Sequence, residues 1–253
     1  MIPESVTWSY EDYRMHVAAA KLLDEIKEDA FGFMRNALSD RKMISEYDVQ
    51  QFILRKYEEN RLVSSIPPIA AVGEGTREPH HKPRKDAKIT PENIVLVDVF
   101  AKMDAPCGVY ADITWMAYTG GEVPAEYRKI FDVVACARDA VVEHLRSSFR
   151  EGVVVRGFEL DDIARDYITE RGYGEHFTHR TGHSLGRELV GGGVHPDNYK
   201  TKDARDVVPG CGFTVEPGIY LKDFGVRSEI NVYINEEGPE VTTAIQKEIT
   251  RLI

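Results

Sequence analysis

Four acidic residues interrupt runs of core-forming residues: Asp98, Asp112, Glu216 and Glu229. The runs are IVLVDVFA (94–101), VYADITW (109–115), FTVEPGIYL (213–221) and GVRSEINVYI (225–234). The first two acids are 14 residues apart and the last two 13. Singly, such a residue is most often a strand-edge or solvent-facing acid. Bare in a core, a carboxylate costs several kcal/mol. Two matching pairs call for one explanation, and divalent cations supply it. Carboxylates that converge on cations exchange mutual repulsion for coordination. With two ions, bridging carboxylates hold them about 3.5–4 Å apart.

A nitrogen donor comes from HFTHRTGHSLGRELVGGGVHP (176–196), which carries His176, His179, His183 and His195. A lone histidine is ordinarily a surface or satisfied core residue. Here Gly182, beside His183, permits close backbone approach, and the glycines at 191–193 mark a tight or flexible loop. Neutral imidazole suits a site built mainly of carboxylates.

Two hairpins must bring these side chains together, and each follows two helices. Residues 10–36 have apolar residues at three-to-four spacing. A second helix starts at Ser45, with Asp48 as a capping acid, and runs to about Glu59. SIPPIAAVGEG (65–75) reads as a short strand entered through prolines, followed by a polar loop. Residues 123–149 form a long helix with proline near its start. ELDDIARDYITERGYG (159–174) is a shorter helix stopped by Gly172. Strands follow at 212–221 and 225–234. Helix, helix, loop and hairpin thus occur twice, which predicts two halves facing each other across one sheet-built cleft.

The 253 residues, 42% apolar and 29% charged, suit one soluble α/β-type domain able to bury a large core. A net charge of −10 argues against a nucleic-acid surface. No apolar run reaches membrane-spanning length. The N-terminus lacks a basic start followed by an apolar stretch, so a cytoplasmic location is the default expectation. The three cysteines, Cys107, Cys136 and Cys211, are odd in number and far apart, which fits neither a disulfide framework nor a zinc site.

The motifs LVDVFA, YADITW, HRTGHSLG, FTVEPGIYL and GVRSEINV, in this order, resemble the pita-bread metallopeptidases. These include methionine aminopeptidase, aminopeptidase P and prolidase. The resemblance implies an α+β pita-bread fold: two pseudo-symmetric helix-helix-hairpin halves around a curved antiparallel sheet, here a single catalytic domain over 1–253. It implies five metal ligands, Asp98, Asp112, His183, Glu216 and Glu229, and two divalent ions, manganese first, with cobalt, iron or zinc as alternatives. Asp98 would serve one ion, Asp112 and Glu229 both, and His183 and Glu216 the second. Glu216 would also take the proton from the attacking water. Arg227 stands where methionine aminopeptidases typically have glutamine, which points to the aminopeptidase P and prolidase branch. That branch hydrolyses the N-terminal Xaa-Pro bond of short peptides. Its members are commonly dimers and usually carry an additional N-terminal domain, which the reading of this chain lacks. His179 and His80 match histidines that contact substrate, whereas His81 reads as a solvated loop residue.

The pattern also departs from the family's. Val190 stands where a cleft histidine is usual, seven residues after His183, and His195 is the candidate to replace it. The Asp98–Asp112 interval is three residues longer than usual, an excess that the turn around Asp104, Pro106 and Gly108 can absorb. Trp115 replaces a common arginine and is expected to alter the cleft wall or a contact behind it. The competing readings are a peptide- or protein-binding module on the same fold, an aminopeptidase of other specificity, and a metal-free carbon–nitrogen hydrolase of the creatinase kind.

Overall fold

The structure is a computed structural model that describes residues 7–253. The reading of the extreme N-terminus lies partly outside these residues. Helix α1 (Tyr10–Ser39) is opened by Ser9, whose hydroxyl accepts from the Asp12 N–H while Asp12 accepts from the Ser9 N–H. Helix α2 (Glu46–Glu59) repeats this reciprocal cap with Ser45 and Asp48. Strands β1 (Leu62–Val63) and β2 (Ile69–Val72) lead through a 3₁₀ turn and a polar loop to β3 (Ile94–Met103) and β4 (Ala111–Tyr118). Helices α3 (Ala125–Glu151) and α4 (Gly157–Glu170) follow. Then come β5 (Gly212–Val215), β6 (Gly218–Tyr220), β7 (Gly225–Arg227) and β8 (Ile230–Asn235), with β9 (Gly238–Val241) and β10 (Thr250–Arg251) last. The twofold order of two helices and a hairpin expected from the sequence is therefore present.

Both faces of the β3–β4 hairpin are covered, which explains its nearly unbroken apolar runs. Val95, Val97, Val99, Ile113 and Ala117 join α1 and α2 in one core. Leu96, Phe100, Met116 and Tyr118 join α3, α4 and the later strands in the other. Side chains alternate along a strand. Asp98 pairs with Thr114 and Asp112 with Phe100, so both aspartates share the second face. Trp115 belongs to the first. It packs against the α1–α2 core with the Lys27 ammonium 3.3 Å from its ring centroid, so of the two roles expected of it, a cleft wall or a contact behind it, the first is not the one it takes.

Two features differ from the expected continuous antiparallel hairpins. β10 lies parallel to β4. The later hairpin is broken: β8 pairs with β5 on one side and β9 on the other in one sheet, while β6 and β7 form a separate pair. The breaks fall at Glu216–Pro217 and Ser228–Glu229. Proline has no N–H to continue the ladder. At the break the Glu216 N–H turns to the Thr181 carbonyl (2.7 Å), and the Glu229 N–H to the Thr114 carbonyl (3.3 Å). The two acids of this hairpin thus lie at the joint between sheets, where the strand turns toward the first half.

Candidate metal centre and cleft

The two hairpins are fastened directly behind the acids. The Asn231 side chain accepts from the Asp112 N–H at 3.0 Å and donates to the Asp112 carbonyl at 2.5 Å. His183 arrives on a loop held against β5. Its N–H donates to the Thr214 hydroxyl (2.9 Å), and its carbonyl accepts from the Thr214 N–H (2.8 Å). Gly182 makes this possible, because a Cβ there would lie 1.9 Å from the Thr214 carbonyl oxygen. The His183 Nδ1–H donates to the Ser184 carbonyl at 3.0 Å, which leaves the Nε2 lone pair facing the acids. Nε2 is 3.5 Å from both Asp112 Oδ2 and Glu216 Oε1. Ligand atoms of Asp112, His183 and Glu229 lie within 4.8 Å of one another.

Asp98, Asp112, Glu216, Glu229 and His183 all line one cleft of about 270 Å³. Asp98, Asp112 and Glu229 are buried, and each keeps one oxygen without a hydrogen-bond partner: Asp98 Oδ1, Asp112 Oδ1 and Glu229 Oε1. Burial raises the pKa of Asp98 in spite of its ion pair with Arg227. Burial and the neighbouring carboxylates push Asp112 and Glu229 well above the usual carboxylate range. Burial would also raise Glu216, but His183, His179 and Arg227 outweigh it and bring its pKa below the ordinary value. Orphaned, mutually repelling oxygens beside an imidazole lone pair fit a divalent cation: hard oxygen donors and one borderline nitrogen, with no thiolate.

Sequence reasoning missed several residues that arrange this site. The Thr114 hydroxyl donates to Glu229 Oε2 (2.8 Å) and accepts from Arg227 Nε (2.9 Å). The Thr214 hydroxyl donates to Glu216 Oε1 at 3.0 Å. Arg227 also reaches the Tyr220 hydroxyl (3.3 Å) and the Pro79 carbonyl (3.1 Å). His179 donates from Nδ1 to the Arg180 carbonyl, and its Nε2 accepts from the Tyr220 hydroxyl, both at 2.8 Å. Burial lowers the pKa of His179 to about 4 and raises that of Tyr220 to about 12. Arg165, paired with the buried Asp161, donates to the His179 carbonyl at 2.8 Å. Nothing in the sequence pattern separates Tyr220 from ordinary strand-core tyrosines.

His80, His179 and Arg227 line the cleft with the four acids and the His183 imidazole. His195 does not. After the triple glycine the chain folds back on Ser184: the Gly191 N–H bonds the Ser184 carbonyl (2.8 Å), and the Gly193 N–H its hydroxyl (2.9 Å). This turn directs His195 Nδ1 onto the Ser184 N–H at 2.9 Å, and its ring faces a neighbouring pocket with Arg180 and Asp203. Val190 itself occupies the cleft wall. His81, expected to be solvated, is instead held 2.7 Å from Glu46. His176 is outside the cleft lining.

Fold and site together define a protein that gathers carboxylates and one imidazole in a cleft suited to divalent cations. The chain belongs to metallopeptidase family M24, whose pattern matches residues 14–236. An uncharacterized peptidase of Methanocaldococcus jannaschii is 32% identical over 225 residues, covering 85% of this chain and 58% of that protein. A Xaa-Pro dipeptidase of Lactobacillus delbrueckii subsp. lactis is 29% identical over 222 residues, covering 87% and 55%. Among solved structures, a dipeptidase from Pyrococcus horikoshii OT3 superposes with a TM-score of 0.83 at 27% identity, covering 97% of this chain and 64% of that one. A Xaa-Pro dipeptidase from Bacillus anthracis gives 0.81 at 28% identity, with the same coverage. The α+β pita-bread fold implied by the motifs is the one these structures share with this chain. The chain spans less than two thirds of the length of each of these relatives. Among the described residues no helix is long and apolar enough to cross a membrane.

Proposed function

We propose that this chain hydrolyses the N-terminal Xaa-Pro bond of short peptides, using two divalent cations, with manganese the first candidate. The observation that carries the reading is that Asp98, Asp112 and Glu229 each keep an unpartnered oxygen in one cleft, where ligand atoms of Asp112, Glu229 and His183 lie within 4.8 Å of one another. The Xaa-Pro specificity is supported by the similarity to the Lactobacillus and Bacillus dipeptidases. Asp98, Asp112, His183, Glu216 and Glu229 would hold the cations. When bound, such ions polarise a carbonyl and bring the pKa of a water near neutrality.

The chain's own residues supply the rest. Glu216, with its lowered pKa and an exposed edge, accepts the proton of the attacking water and returns it to the leaving amine. His179 is a neutral ring at pH 7, and the Tyr220 hydroxyl keeps its proton, so their hydrogen bond is retained through neutral pH. Arg227 holds Asp98 and the Pro79 carbonyl in one arrangement. Ile66, Ile69, Phe100, Leu189 and Val190 form an apolar wall suited to a proline ring.

Release of proline from an Xaa-Pro dipeptide and of the first residue from a longer Xaa-Pro peptide, by manganese-loaded protein with Glu216→Gln as control, tests this reading. Turnover by the wild type and its loss in Glu216→Gln are expected. Val190, in place of a cleft histidine, favours a second reading as a peptide-binding module. Two bound ions without turnover on any N-terminal peptide would reject the hydrolase and favour that module.

A further inference from the structure

The segment EPHHKP presents two adjacent histidines, and the structure sends them to different places. His80 lines the cleft. His81 turns away, and its Nε2–H donates to Glu46 Oε2 at 2.7 Å. Glu46 is the first residue of α2 and is wholly buried. A buried carboxylate is costly unless its lone pairs are met, and Glu46 meets three donors from one segment. Its Oε1 accepts from the Val72 N–H (2.9 Å) at the end of β2. Its Oε2 accepts from His81 and from the Arg84 N–H (3.0 Å). Gly75 leaves room for this pair: a Cβ there would lie 2.8 Å from Glu46 Oε1 and 3.0 Å from His81 Cε1.

From residue 73 to 88, before Ile89 enters the α1–α2 core, the loop carries no large apolar side chain, so no apolar core of its own fixes this part of its path. Its fastenings are polar as well. The Thr76 hydroxyl accepts from the Gly225 N–H at 2.9 Å. On one side of His80, Arg227 grips the Pro79 carbonyl from within the cleft; on the other, Glu46 grips the His81 ring. Glu46 does not line the cleft. From this geometry we infer that Glu46 and His81 are a positioning pair, which sets His80 at the cleft wall where a bound peptide meets it. This inference rests on the reading of the cleft as the peptidase site.

A double-mutant cycle on the metal-loaded full chain tests it. His81→Ala lowers kcat roughly 10–100-fold with KM little changed, and His81→Gln, which retains an N–H donor at similar reach, restores most of the loss. In a His80→Ala background, His81→Ala costs nothing further, because the pair acts only through His80. Equal fold-losses in both backgrounds overturn the inference, as does a His80→Ala enzyme of unchanged activity. If His81→Ala does not fold, Glu46→Gln takes its place in the cycle with the same expected pattern. A crystal structure of His81→Ala or Glu46→Gln decides independently of catalysis: His80 leaves the cleft wall, and an unmoved His80 ring rejects the pair's role. A wild type without turnover would reject the peptidase reading alone, since the position of His80 is still read in that crystal.

Discussion

Thr114 stands two residues after Asp112 and Thr214 two residues before Glu216, so each hydroxyl lies on the side of the acid beside it. Each accepts one hydrogen bond and donates one to a carboxylate, and the donation decides which carboxylate oxygen remains free. Thr114 occupies Glu229 Oε2 and leaves the buried Oε1 without a partner. Replacing Glu216 by glutamine keeps a hydrogen-bonding group of the same size beside Thr214 but removes the proton acceptor. The expected result is a fall in kcat of roughly 10²–10⁴-fold, with an unchanged circular dichroism spectrum, measured by steady-state kinetics. At this scale the four acids were legible in the sequence because their types conflict with the apolar runs around them, and His183 because HRTGHSLG matches a family motif. Tyr220 was not, since a tyrosine in a strand ordinarily packs in the core. The position of His195 was not either, because a triple glycine encodes no preferred path and Ser184 determines where the ring goes.

Secondary elements hold the site through a few close approaches. Gly182 lets the His183 loop lie on β5, and the Cβ of Gly182→Ala would meet the Thr214 carbonyl at 1.9 Å. That substitution is expected to cost roughly 1–3 kcal/mol and to weaken cation binding, read by urea denaturation and by metal titration. Helix α1 is tied to the strands by His16, a fully buried ring. Its Nδ1–H donates to the Tyr110 carbonyl (2.8 Å), and its Nε2 accepts from the Thr242 hydroxyl (2.7 Å). Burial lowers its pKa to about 4 from 6.5. Below pH 6.5 the unfolded chain takes up a proton that the folded ring refuses, so stability falls as pH drops toward 4. The loss is about 3 kcal/mol at one pKa unit per 1.4 kcal/mol. A His16→Gln variant should flatten that part of the stability–pH curve, measured by urea midpoints between pH 4 and 7. The helices were legible from their spacing and from the Ser45 and Asp48 cap. The break in the second hairpin was visible only as Pro217, whose missing donor has its effect once β6 and β7 pair apart from β5 and β8.

For the molecule as a whole, three orphaned oxygens in a buried cleft make the fold's stability depend on what fills it. Manganese added to chelator-treated protein should raise the melting temperature, by the equivalent of about 2.7 kcal/mol when free ion is a hundredfold above its dissociation constant. Calorimetry with and without chelator measures this, and Asp112→Asn should abolish the response. The two-halved plan was legible from the repeated order of elements, whereas the covering of both faces of β3–β4 by separate cores was not, because an apolar run alone does not say which neighbours it meets. That double covering constrains how the gene can change length. Adding or deleting one codon within β3 or β4 would exchange acids and aliphatics between cores. Indels there are tolerable only in twos, while a change of length in the turn at 104–108, short of the anchored Tyr110, leaves both faces as they are.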